Sequence, residues 1–135
     1  PVYHDSCVEF LAHIPGQKEY YNFEFNCIGT ALASKRLRRT DNDYYPDEMM
    51  MKIRTWSSLG KKPFAEKTGI FSWELVVAVP FELFGLDSAA LPEKIDVNFY
   101  KCGDNTSLPH YLSWNRIETP EPDFHRVDFF GEMYF

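Results

Sequence analysis

No stretch of this sequence holds the ~18 consecutive apolar residues that a membrane-crossing helix needs, and its first residues are not those of a signal peptide. The chain reads as soluble. Positive charge is also short: 14 Lys and Arg stand against 20 Asp and Glu, a net charge of −6, which argues against a polyanionic partner such as nucleic acid. Its one basic run, SKRLRR from Ser34 to Arg39, lacks the interleaved aromatics on which bases would stack. Cysteine is scarce. Cys7, Cys27 and Cys102 cannot all pair and none sits in a CxxC spacing, which argues against zinc or thioredoxin chemistry and reads as free buried thiols. His4, His13, His110 and His125 form no HxH or HExxH pattern, so no metal site is expected on them. A Gly-rich phosphate loop and a GxSxG elbow are missing as well. No cofactor is expected.

What the chain has in quantity is aromatic side chains, 17% of 135 residues, with 12 Phe and 8 Tyr. Aromatics favour pleated, half-buried surfaces, and a chain of this length makes one domain, here spanning residues 1–135. The pattern of two confirms the class. From Ser6 to Ile14, Val8, Phe10, Ala12 and Ile14 alternate with Cys7, Glu9, Leu11 and His13. After the turn at Pro15 and Gly16, Tyr21, Phe23, Phe25 and Cys27 alternate with Tyr20, Asn22, Glu24 and Asn26, which predicts an antiparallel hairpin. Residues 28–50 have no sustained period and read as a long excursion with one helical turn near Ala31–Leu37. Met51–Ser57 and Ile70–Val79 read as strands, the latter with Trp73 in the core, and PFELFG as a short helix closed by Gly85. In Lys94–Tyr100, Ile95, Val97 and Phe99 are expected inward and Asp96, Asn98 and Tyr100 outward. Regular strands, turn punctuation and little amphipathic helix predict an all-β, antiparallel β-sandwich of jelly-roll type. Strands are expected over Cys7–Leu11, Tyr21–Phe25, Trp73–Val77, Ile95–Phe99 and Gly131–Tyr134, with Phe10, Phe23, Phe25, Trp73, Leu75, Val97 and Phe99 buried.

The chemistry gathers on the other face of those strands. Glu9, Asn22, Glu24, Asn26, Asn98 and Tyr100 share it, and the segment SWNRIETPEPDFHRVDFFGEMYF (Ser113–Phe135) brings a proline-punctuated loop with Trp114, Phe124 and His125 that can close over it. Amides and carboxylates bind vicinal hydroxyls while an aromatic ring covers the apolar face of a pyranose. A mono- or oligosaccharide is therefore the expected ligand, held by Glu9, Asn22, Glu24, Asn98 and Phe124, with Tyr100 and Trp114 as second choices. A wetted sheet face is the plainer reading of the same pattern. Glu9 and Glu24 are also a candidate glycosidase pair, but Glu24 is expected among Asn22, Asn26 and water, with nothing to raise its pKa. No catalytic residue is therefore assigned.

DSCVEF (Asp5–Phe10), YYNFEFNCIGT (Tyr20–Thr30), SSLG (Ser57–Gly60), NFYKCGD (Asn98–Asp104) and the C-terminal segment resemble bacterial carbohydrate-binding family 9-like proteins, in order and over nearly the whole chain. More distantly, the first and last strands are similar to true family 9 carbohydrate-binding modules, which are non-catalytic β-sandwiches found beside xylanases. The resemblance places the module's sugar-contacting acid on Glu9 and its C-terminal aromatic clamp near Phe124, where the module has Trp. Its second clamp falls around Val2 or Tyr3, and its sugar-binding Arg falls on Glu24, a reversal of charge. Family members carry further early strands before the equivalent of Pro1, which implies that this chain is a partial domain. Related sandwiches carry haem in some families, so a haem-binding reading with Met49, Met50, Met51 and the histidines as ligands also stays open, although a Met run reads first as packing.

Overall fold

A computed structural model describes residues 1–135. Strands β1 (Cys7–His13) and β2 (Tyr20–Asn26) form the hairpin that their alternation predicts, with Phe10 opposite Phe23 and Glu9 opposite Glu24. β3 (Ala31–Arg36) continues the sheet from β2, and the short β4 (Asp43–Tyr44) ends it. On the other side of β1 lies β7 (Lys94–Cys102), antiparallel to it. The outer edge of β7 is shared: β8 (Tyr111–Ser113) pairs with its C-terminal half and β9 (Gly131–Tyr134) with its N-terminal half. This seven-stranded sheet is one layer of the sandwich, and β5 (Arg54–Ser57) with β6 (Leu75–Ala78) forms a second, two-stranded sheet. No helix is long and apolar enough to cross a membrane.

The core lies on the apolar face of the large sheet. Phe23, Phe25, Ala12, Ile95 and Val97 are buried there, together with Leu83 and Phe84 from a 3-10 turn over Phe81–Phe84. Phe84 meets Phe23 and Phe10 edge to face, with ring centroids 5.0 and 5.6 Å apart, the geometry that aligns a ring's positive edge with its neighbour's π face. Gly85 ends that turn at φ 70°, and a Cβ there would lie 2.4 Å from the Tyr21 hydroxyl oxygen, so backbone and space both require glycine.

Four readings of the sequence are corrected. Residues 31–36 form β3 rather than a helical turn. Their Ala, Leu, Lys and Arg favour helix, but the open edge of β2 supplies a full ladder of partners, and pairing overrides propensity. The strand expected over Ile70–Val79 shrinks to Leu75–Ala78 because its partner runs out at Ser57, and Phe71 and Ile70 are left exposed with Trp73 only half-buried. The strand expected from Met51 begins at Arg54, since Met51 closes a one-turn helix, α1 (Asp47–Met50). Phe99, expected in the core, is 44% exposed: two strands cannot cover the whole apolar face of seven. Phe10 and Leu75 are half-buried for the same reason.

Candidate functional site

Strand register builds a polar floor. β1 is the central strand of three, with Glu9 opposite Glu24 on one side and Tyr100 on the other, and Leu11 opposite Asn22 and Asn98. Directly opposed residues project to the same side of a sheet. Glu9, Asn22, Glu24, Asn98 and Tyr100 therefore stand together, joined at the edges by Cys7, Asn26 and Cys102 and, from β3, by Ser34 and Arg36. Arg36 donates from Nε to Ser34 Oγ at 2.7 Å and from Nη1 to the Arg39 carbonyl at 2.7 Å.

This floor is not wetted, as its polarity suggests, but roofed. Because β8 and β9 share one edge of β7, the segment between them, residues 114–130, must leave that edge and return to it. It does so across the polar face, setting Ile117, Phe124, Val127 and Phe130 against a small apolar cluster of Leu11, Tyr20 and Tyr100. Three floor side chains tie the loop down. Asn98 accepts the Asn115 N–H at 2.8 Å and donates to the Asn115 carbonyl at 3.0 Å, serving as a substitute strand. Tyr100 donates its hydroxyl to the Phe124 carbonyl at 2.9 Å, and its ring stacks on that of Phe124 with centroids 4.2 Å apart. The Tyr20 hydroxyl and His125 Nδ1 are 2.8 Å apart. The consequence is burial: Glu9 is 7% exposed, Glu24 4%, and Asn22 and Asn98 0%. Asn98 and Tyr100, expected outward into solvent, point outward into the loop.

Burial sets the electrostatics. Desolvation raises the Glu9 carboxyl well above the usual carboxylate range, and the neighbouring Glu24 charge adds to it. Desolvation also raises Glu24, opposed by a hydrogen bond from Asn22 and by the charge of Arg36. The expectation that nothing would raise Glu24 is thus overturned, because the solvent assumed beside it is replaced by the loop. His125, desolvated and close to Arg36 and Arg39, is lowered to about 4. Burial pushes Tyr20 up to about 12. Asn22 Nδ2 donates to Glu24 Oε1 at 2.8 Å, yet Asn22 Oδ1 and Glu24 Oε2, both buried, have no partner. Unpartnered buried polar atoms are rare, and each costs ~1–3 kcal/mol. The floor holds two acceptors with unmet demand.

Of the residues singled out from sequence, Glu9, Asn22, Glu24, Asn98, Tyr100 and Phe124 come together here. Trp114 does not: its ring meets Phe99 edge to face at 5.8 Å, on the other side of the sheet, and is 59% exposed. Sequence reasoning named His125 only as part of the closing loop, and passed over Tyr20, Ser34, Arg36 and the facing Cys7 and Cys102. Tyr20 and Cys7 were visible in the alternation of β2 and β1, but Ser34, Arg36 and the facing of Cys7 and Cys102 depend on β3 and on pairings between distant parts of the chain, which no local pattern carries.

The family model for carbohydrate-binding family 9 matches residues 1–135. A solved structure from Bacteroides uniformis ATCC 8492, provisionally described as a carbohydrate-binding protein, is 39% identical and superposes with a TM-score of 0.90 over 99% of this chain. The chain spans 62% of that protein's length. No curated protein matches the chain. On the full-length match to its family model, the chain belongs to carbohydrate-binding family 9.

Proposed function

We propose that this domain, residues 1–135, binds a mono- or oligosaccharide without catalysis, on the polar sheet face beneath the C-terminal aromatic loop. The observation that carries the reading is the pair of unpartnered, buried acceptors, Glu24 Oε2 and Asn22 Oδ1, on the same sheet face as Tyr100, on whose ring the loop's Phe124 stacks. Sugar hydroxyls are donors suited to both atoms, and a pyranose ring offers the apolar face that Phe124 would cover once the loop lifts. Glu9, Asn22 and Glu24 are then the hydroxyl-binding groups and Phe124 the platform. Asn98 and Tyr100 hold the loop that closes over the ligand, and Trp114, on the opposite face, takes no part. The family and the Bacteroides relative support the ligand class.

A glycoside-cleaving enzyme using Glu9 and Glu24 is the second reading, favoured by the raised pKa of both carboxyls. Geometry weighs against it. A glycosidase sets its two carboxyls on either side of the scissile bond, whereas directly opposed residues on adjacent strands lie on one side of any ligand above the sheet. A glycan-array screen, followed by a hydrolysis assay on each hit, tests both. Binding to one glycan class with no turnover between pH ~4 and 8, the range open to tuned carboxylates, is the expected result. Turnover lost in both Glu9→Gln and Glu24→Gln would establish the enzyme, and silence on the array would remove the binding reading.

A further inference from the structure

β1 and β7 bring together two cysteines that the sequence leaves apart. Cys7 and Cys102 are direct cross-strand partners, 0% and 1% exposed, and Glu9 stands next to Cys7 on the same face. The Cys102 thiol donates to Glu9 Oε1 at 3.2 Å, and one ligand atom from each of the three residues lies within 4.8 Å of the others. The sugar-binding reading uses neither thiol. We propose that Cys7, Glu9 and Cys102 form a site for a thiolate-preferring divalent metal ion, zinc being the type.

Zinc bonds of about 2.3 Å to sulfur and 2.0–2.2 Å to oxygen, at tetrahedral angles, set ligand atoms roughly 3.5–3.8 Å apart. The observed separations bracket that range, so the three side chains reach one ion by small rotations. With three protein ligands, Cys7, Glu9 and Cys102, the fourth tetrahedral position is left to a water molecule. Two thiolates select zinc and its softer analogues over calcium or magnesium, which take oxygen alone. Loading exchanges protons for metal: the ion binds, and two thiol protons and the carboxyl proton of Glu9 leave to solvent. Lys101, whose Nζ donates to the Cys102 carbonyl at 2.7 Å, offsets part of the remaining negative charge. The ion would join β1 to β7 at the edge of the polar floor, with Glu9 shared between the metal site and the sugar-binding face.

Cobalt(II) titration of the reduced protein, held in a phosphine reductant, is the direct test. A thiolate-to-cobalt charge-transfer band should appear, be removed by zinc, and be lost in Cys7→Ser and Cys102→Ser while Cys27→Ser keeps it. Glu9→Gln should weaken cobalt binding about ten-fold, in the range that loss of a charged ligand costs. Should either Cys→Ser variant fail to fold, zinc protection of the wild-type thiols decides: zinc should slow their alkylation at least about ten-fold, the change expected when one ion holds both thiolates. No band in the folded, reduced protein overturns the proposal, as does a band that survives Cys7→Ser and Cys102→Ser. Peptide mapping that finds a Cys7–Cys102 disulfide, with no cobalt uptake after reduction, also overturns it.

Discussion

Glu24 shows how a single carboxyl can be held at a cost. Its folded pKa is raised, so between the ordinary value of 4.5 and that raised value the native state binds more protons than the unfolded chain. The sign follows: stability is unpenalised below pH 4.5 and falls as pH rises through the folded pKa, and Glu9 acts in the same direction. Glu24→Gln, which removes the charge and keeps the shape, should gain in stability on the wild type as pH rises from ~4 to 8. Urea denaturation across that range measures it, and parallel curves would show that Glu24 carries no penalty. His125 runs the other way. With its folded pKa lowered from 6.5 to about 4, its contribution is present above 6.5 and lost as pH falls toward 4. NMR titration should find its imidazole neutral down to about 4.

The loop over residues 114–130 is the element on which the site depends, and Asn98 is its main tether. Asn98→Ala would leave the Asn115 N–H and carbonyl unpaired, at a cost of ~1–3 kcal/mol. Hydrogen exchange should quicken across residues 115–130 while β1 and β2 stay protected. Uniform exchange in wild type and variant would mean that the loop is held elsewhere. Trp114→Ala, removing a half-exposed ring, should cost less than ~1 kcal/mol. Gly85→Ala should cost more, by ~1–3 kcal/mol, because a Cβ at φ 70° also meets the Tyr21 hydroxyl. β1, β2, β7 and β9 were legible because each alternates against a buried layer. β3 was not, since ALASKR keeps neither face apolar and owes its conformation to the edge of β2.

Across the whole molecule, the polar face of the large sheet is roofed by the loop while the apolar face is only partly covered, and this is what the sequence could not convey. Glu9, Asn22, Glu24, Asn98 and Tyr100 were legible as one face from their period of two. That they are buried depends on a loop whose ends are fixed by two strands sharing one edge of β7. Likewise, Phe99 reads as core from its own strand, and only the narrowness of the two-stranded layer leaves it open. Burial of the polar face is also what turns a common pattern of amides and carboxylates into a candidate binding floor. Calorimetric titration of the best glycan-array ligand against wild type, Glu24→Gln and Phe124→Ala tests that claim most directly. Loss of about ten-fold in affinity in each variant, near the 1–2 kcal/mol that a charge-assisted hydrogen bond or a stacked ring contributes, is the predicted result. Affinities unchanged in both variants, with melting temperatures showing that both are folded, would place the sugar somewhere other than this floor.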